Sequence, residues 1–83
     1  MGLTQIGKIT HYYDKIGVAV VKLSQKMKIG DKIKISGHDK EYSQVISSMQ
    51  VEHEQITEAK KGDELGIKVE QSVKEGDVVY LEK

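Results

Sequence analysis

The sequence predicts an all-β fold, on three observations. A glycine-aspartate turn followed by an alternating strand occurs three times. The apolar residues are mostly Ile, Val and Leu, joined by four Tyr but no Phe or Trp. No segment reads as a good helix. The turns are Lys28-Ile29-Gly30-Asp31, Lys60-Lys61-Gly62-Asp63 and Lys74-Glu75-Gly76-Asp77. Each places Gly third of four, where a type II turn needs φ > 0 and only Gly adopts it at little cost. β-branched residues and Tyr suit half-buried strands.

Along the chain, the first strand is expected from Thr4 to Tyr13, with Gly7 inside it marking a bulge or a close backbone approach. Asp14 to Gly17 is a turn. The second strand, Val18 to Leu23, is nearly all apolar and so reads as buried on much of both faces. A loop through Gln25 and Met27 leads to the first Gly-Asp turn. The third strand follows from Lys32 to Ser36, and Gly37-His38-Asp39-Lys40 reverses the chain. A fourth strand is expected from Tyr42 to Val51, with Val45, Met49 and Val51 on one face and Tyr42 and Ile46 on the other. Glu52 to Lys61 has helix-favouring residues but no apolar stripe, only Ile56 and Ala59, so it reads as an extended loop with one short strand or turn. The fifth and sixth strands follow the second and third Gly-Asp turns. Six strands with short connections imply a closed or nearly closed Greek-key β-barrel, which would leave no free edge on strands as apolar as the second.

Eighty-three residues make one domain, residues 1–83. Such a chain buries about 60–65% of its unfolded surface, a thin core. Cys is absent, which fits a reducing compartment. The N-terminal residues lack a basic segment followed by a long apolar run. No stretch reaches the roughly 18 apolar residues of a membrane span, so a cytoplasmic protein without membrane contact is expected.

Net charge is zero, and all 13 basic residues are Lys. Strong, indiscriminate nucleic-acid binding usually goes with excess positive charge and with Arg, which fits phosphate bidentately. The charge is nevertheless uneven. Residues 15–34 carry six Lys against Asp31 alone, a net +5, and residues 35–83 carry a net −5. A neutral protein with such a division can own a basic face.

The run Val18 to Leu23 followed by Met27 to Gly37 resembles the β-barrel domain that follows the GTPase domain in translation factors of the elongation factor Tu type. So do Val45 to Gln50, Ala59 to Val69 and Lys74 to Tyr80, in matching order across roughly residues 5–81. Gly17-Val18-Ala19-Val20-Val21 and Val73-Lys74-Glu75-Gly76-Asp77 are also similar to the C-terminal barrel of the collagenase-like peptidase family, whose bacterial members are linked to RNA modification. The translation-factor resemblance implies a barrel that contacts tRNA or ribosomal RNA. The chain has no G-x-x-x-x-G-K-[ST] loop, so no nucleotide site is expected. The leading expectation is a stand-alone, non-catalytic module associated with RNA or the ribosome. The alternative is a protein-interaction module that supplies its barrel in trans to a larger translation or RNA-modification enzyme.

Two surfaces are candidates for RNA contact. Lys32 and Lys34 alternate with Ile33 and Ile35 and should point outward. With Lys22 on what is read as the paired strand, and Lys26 and Lys28 on the joining loop, they would form a basic ribbon capable of salt-sensitive phosphate contact. The competing reading is a solvated Lys face that keeps a small barrel in solution. The second candidate is the end of the first strand. His11 and Tyr13 share a face beside Lys15 and could stack on a base. The competing reading is one Tyr in the core and one covering a barrel end. Gln50 and His53 are weaker candidates at a barrel rim, with Met49 read as a core gap-filler. His11, His38 and His53 lack metal-ligand spacing, so neither a metal nor a cofactor is expected. Without Cys, a nucleophile elbow or a recognisable acid pair, no enzyme activity is expected.

Overall fold

The computed structural model describes residues 3–37, 40–52 and 54–82. They form ten strands: β1 (Leu3–Tyr13), β2 (Val18–Leu23), β3 (Met27–Lys28), β4 (Lys32–Ser36), β5 (Glu41–Val45), β6 (Met49–Val51), β7 (Glu54–Ile56), β8 (Glu58–Ala59), β9 (Glu64–Lys68) and β10 (Val78–Glu82). No helix occurs among the described residues, so the all-β expectation holds. Eight strands make one sheet in the order β5-β4-β10-β1-β2-β9-β6-β7, and β3 pairs with β8 in a second, two-stranded sheet. Every pairing is antiparallel.

The three Gly-Asp turns share one hydrogen-bonding scheme. Gly30, Gly62 and Gly76 have φ of 94°, 93° and 93°. Within each turn the Asp N–H donates to the carbonyl of the Lys three residues earlier, at 3.0–3.1 Å. The Asp carboxylate then accepts the N–H of that same Lys: Lys28 to Asp31 at 3.0 Å, Lys60 to Asp63 at 3.1 Å, Lys74 to Asp77 at 2.9 Å. The turn next grips one residue of the neighbouring strand. Gly30 donates to the Ile46 carbonyl while Ile46 donates to the Asp31 carbonyl, both at 2.9 Å. Gly62 and Asp63 do the same with Leu23 at 2.9 Å, and Gly76 and Asp77 with Ile9 at 2.8 Å. All three gripped residues are buried. Each turn therefore adds the first rung to a ladder: β4 on β5, β9 on β2, β10 on β1.

β1 is the longest strand and is hydrogen-bonded on both sides, to β10 and β2. Its register shifts between Gln5 and Gly7 against β10, and between Ile9 and His11 against β2. Such bulges bend a strand and increase its twist, and here the bend turns Ile6 and Ile9 both into the core. Gly7 is also the expected close approach, since a Cβ there would lie 2.6 Å from Val21 Cγ1 and 3.0 Å from the Lys22 carbonyl. The core gathers Ile6, Ile9, Val21, Leu23, Met27, Ile33, Ile35, Ile46, Met49, Leu65, Ile67 and Val79. Each such side chain is worth about 1.5–3 kcal/mol when fully buried.

Several expectations are corrected. The six-stranded closed barrel is not what the sheet forms, because β5 and β7 end the strand order and do not pair with each other. The expected fourth strand breaks into β5 and β6, and Glu52 to Lys61 contributes two short strands, β7 and β8. β2 buries Ala19, Val21 and Leu23 on one face only, with Val18 and Val20 half-buried and Lys22 exposed on the other. Val45 does not share a face with Met49 as expected: Val45 is 51% exposed while Met49 is buried, and beside Val45 both Ile46 and Gln44 are buried, Gln44 at 5% exposure. Gln44 turns inward because its amide replaces missing ladder bonds. Its Nε2 donates to the Lys68 carbonyl at 2.8 Å, and its Oε1 accepts the Glu70 N–H at 2.9 Å and the Tyr42 hydroxyl at 2.9 Å. One side chain thus ties the edge strand β5 to the chain leaving β9.

Candidate functional site

The expected basic ribbon does not assemble. It required β2 and β4 to be neighbours, but β10 and β1 lie between them. β2 pairs with β1 and β9, and the loop that was to join a hairpin instead carries β3 across to β8. Lys22 is exposed between its cross-strand partners Lys8 and Glu64. Lys26 lies on the loop, beside a hollow lined also by Glu58, Ala59, Lys60 and Asp63. Lys28 faces Glu58 across the small sheet. Lys32 and Lys34 do point outward from β4, but towards carboxylates: Lys34 Nζ is 3.1 Å from Glu41 Oε1 and Lys32 Nζ is 3.8 Å from Glu82 Oε1. Glu82 Oε1 is buried and has no hydrogen-bond partner, so the Lys32 ammonium supplies its nearby counter-charge. Surface pairs of this kind, each with one partner half-buried, are worth only about 0–1 kcal/mol, yet they lower the net charge of the face.

The end of β1 does assemble. The His11 and Tyr13 rings lie 6.2 Å apart at an interplanar angle of 30°. His11 Nδ1 is 3.5 Å from Glu75 Oε2, on the third Gly-Asp turn. Tyr13 is 51% exposed, so it neither fills the core nor seals an end; Tyr12 packs against the core instead. The turn after β1 is held by the Tyr13 carbonyl, which accepts the Ile16 N–H at 3.3 Å and the Gly17 N–H at 2.9 Å. Lys15 sits exposed in that turn. Ile16, also in it, is 62% exposed. On the other side, Glu75 lines a cavity of about 170 Å³ with Gly37, Lys40, Ser72, Val73, Lys74 and Asp77.

Ile16, Glu75 and Gln44 were missed in the sequence. An isoleucine inside a four-residue turn is a legible signal, since turns normally take polar residues. Gln44 lies two residues from both Tyr42 and Ile46, so strict alternation places it on their face. Glu75 carried no such signal, because its contact with His11 joins residues far apart in the sequence. Met49 is buried, as expected of a gap-filler, and Gln50 is half-buried on β6. His38 and His53 lie outside the described residues. Among the described residues no group of three or more His, Asp or Glu is placed to hold a metal ion, and no helix is long and apolar enough to cross a membrane.

No protein-family model matches the chain. An uncharacterized protease of Methanocaldococcus jannaschii is 41% identical over 80 residues, which cover 95% of this chain and 20% of that protein. The chain thus spans a fifth of the length of the curated relative it matches. Two solved structures of the C-terminal domain of a Geobacillus thermoleovorans protein named as a U32 peptidase superpose with TM-scores of 0.90 and 0.86 at 19% identity. The first covers 96% of this chain and 93% of its own, the second 90% and 95%. These findings support the resemblance to the collagenase-like peptidases' C-terminal barrel and not the one to translation factors. The elongation-factor, tRNA, ribosome and RNA-binding reading is corrected accordingly: the relatives point to a peptidase C-terminal domain. What is similar here is one domain of a larger protease, and the fold of this chain is the fold of that domain.

Proposed function

We infer that this chain is a non-catalytic β module that binds a larger peptidase-type protein, joined to it or supplied in trans. The observation that carries this reading is the mismatch of coverage: nearly all of this chain aligns with a fifth of a protease. In this reading, a domain that makes up a fifth of a larger protein serves the rest of it, by fixing its orientation, its stability or what it meets. Without Cys, and with no nucleophile-base pair legible in the sequence, the module reading needs no chemistry of its own. We read the sheet, sealed at its seam by Gln44, as functionally a nearly closed Greek-key barrel: rigid, and suited to presenting a surface. We place the pair in the cytoplasm, in keeping with the cysteine-free sequence.

The test uses the Methanocaldococcus relative lacking the 80 residues that match this chain. Titrating this chain into that truncated protein, followed by calorimetry, should give saturable binding at one-to-one stoichiometry. A contact used within one chain works at effective concentrations reaching about the millimolar range, so the titration must extend that far. No heat of binding up to that limit, with the truncated protein folded by circular dichroism, would reject the module reading.

A further inference from the structure

We propose that the tip of the β1–β2 hairpin, together with the third Gly-Asp turn beside it, is the docking surface of this module. It seats Tyr13 and Ile16 in an uncharged apolar pocket of the larger protein, an inference that rests on the module reading above. Ile16 is the most exposed large hydrophobic side chain among the described residues, at 62%, and Tyr13, three residues before it, is 51% exposed. Of the remaining exposed ones, Leu3 lies at the opposite end of β1, Ile29 in the first Gly-Asp turn and Val45 on β5, and single exposed apolar side chains are ordinary. The turn itself does not require an isoleucine, whose exposure forfeits hydrophobic stabilisation unless something covers it.

The tip is also preorganised. Two N–H groups converge on the Tyr13 carbonyl, and the Gly17 carbonyl accepts the Val69 N–H at 2.9 Å, anchoring the turn to the chain after β9. The His11 ring lies beside Tyr13, with its Nδ1 3.5 Å from Glu75 Oε2. A tip already fixed in place loses little conformational entropy on binding, and a rigid aromatic seated in a pocket is the usual anchor of an interface. Beside this knob, Glu75 forms part of the wall of the 170 Å³ cavity, so a partner meets a prominence and a hollow in one surface.

Charge selects the occupant. Asp14, Lys15 and Glu75 mix both signs around the apolar pair, giving no field that would draw a polyanion or an anionic membrane. A neutral apolar pocket with a polar rim is the complement. Size argues against a second copy of this chain as the occupant. A stable interface takes about 800 Å² from each partner, more than two convex tips can cover between themselves, whereas a larger protein can wrap around one tip.

The experiment repeats the titration of the truncated relative with the double variant Tyr13→Ser/Ile16→Ser and with the control Leu3→Ser/Val45→Ser. Both variants are first checked for an unchanged thermal melt. Affinity at least tenfold weaker for the tip variant, with the control like the unsubstituted chain, is the expected result. Equal affinity for all three would overturn the docking surface and leave the module reading standing, whereas no binding by the unsubstituted chain overturns both. Sedimentation velocity on this chain alone checks the other occupant: a dimer abolished by the tip substitutions would assign the surface to a second copy and overturn the proposal. Should the truncated relative fail to fold, the same variants are placed in a chimaera carrying this chain in place of the matching segment. Docking then appears as one shared melting transition, which the tip variant splits in two. A single transition retained by the tip variant, or two transitions already in the unsubstituted chimaera, would overturn the proposal.

Discussion

At the scale of the residue, Gln44 and Val45 reverse the usual ranking of apolar over polar. Gln44 holds three partners from a site with 5% exposure, while Val45 beside it is half in water. Replacing Gln44 by Ala leaves the Lys68 carbonyl and the Glu70 N–H without their partner, and should cost about 2–4 kcal/mol. Val45→Ser should stay within about 0.5 kcal/mol of the unsubstituted chain. Urea denaturation of both variants measures the contrast, and equal losses would mean that the amide is not what ties β5 to the chain leaving β9. Tyr42 adds a pH dependence. Burial raises its hydroxyl above the ordinary value of 10.0, against the opposing pull of the Gln71 and Glu70 main chain. The folded state therefore holds the proton more tightly than the unfolded chain does. That stabilisation is complete below the unfolded value and is lost as pH rises through the folded one. Melting temperature should fall more steeply from about pH 10 upward in the unsubstituted chain than in Tyr42→Phe; parallel profiles would remove Tyr42 as the cause. That Tyr42 and Ile46 share a face was legible from alternation, but not that this face is the inward one. The inward Gln44 between them was obscured because polarity argued against the period, and only the distant partners at Lys68 and Glu70 resolve the conflict.

At the scale of the element, the Gly-Asp turn is a unit with two jobs. The positive φ at its third position was legible in the sequence, because only Gly adopts that conformation cheaply. Its second job was not: the Asp carboxylate closes the turn on the Lys N–H, and the Gly N–H and Asp carbonyl clasp a buried aliphatic of the next strand. Those clasped residues, Ile9, Leu23 and Ile46, are 67, 39 and 16 positions from the glycines that grip them, separations no local pattern reports. Gly→Ala at 30, 62 or 76 should cost about 1–2 kcal/mol through left-handed strain alone, since no atom lies within 4 Å of the added Cβ at any of the three. Asp→Ala at 31, 63 or 77 should cost about 1 kcal/mol for the lost carboxylate bond. Thermal melts of all six variants check this, and one turn far more sensitive than the others would show that the three are not equivalent. The bulge at Gly7 belongs to the same scale. A glycine inside an otherwise good strand announced it, and the contact with Val21 explains it. The false β2–β4 hairpin is the counter-example: two strands adjacent in sequence were read as adjacent in space, while the loop between them pairs with β8.

At the scale of the whole molecule, strand order decides how stability is distributed. β10, β1, β2 and β9 lie inside the sheet, whereas β5 and β7 have a neighbour on one side only. Amide exchange should be slowest in the inner strands and fastest in β7 and on the open side of β5, by several orders of magnitude. Uniform protection would indicate that the seam is closed more completely than the ladder bonds provide. The class of fold was legible because turn chemistry and strand period agreed throughout. The strand order, open between β5 and β7, was not, because it depends on pairings between main-chain groups far apart in sequence. One feature of β1 reaches beyond stability. Leu3 is paired directly with Glu82, so the outermost described residues at both ends of the chain leave from the same corner of the sheet. A host polypeptide could receive the whole unit within one of its own surface loops and resume its path a single strand-spacing away. The unit is thus as suited to being spliced into a protein as to being hung from its end, and neither arrangement would disturb the hairpin tip.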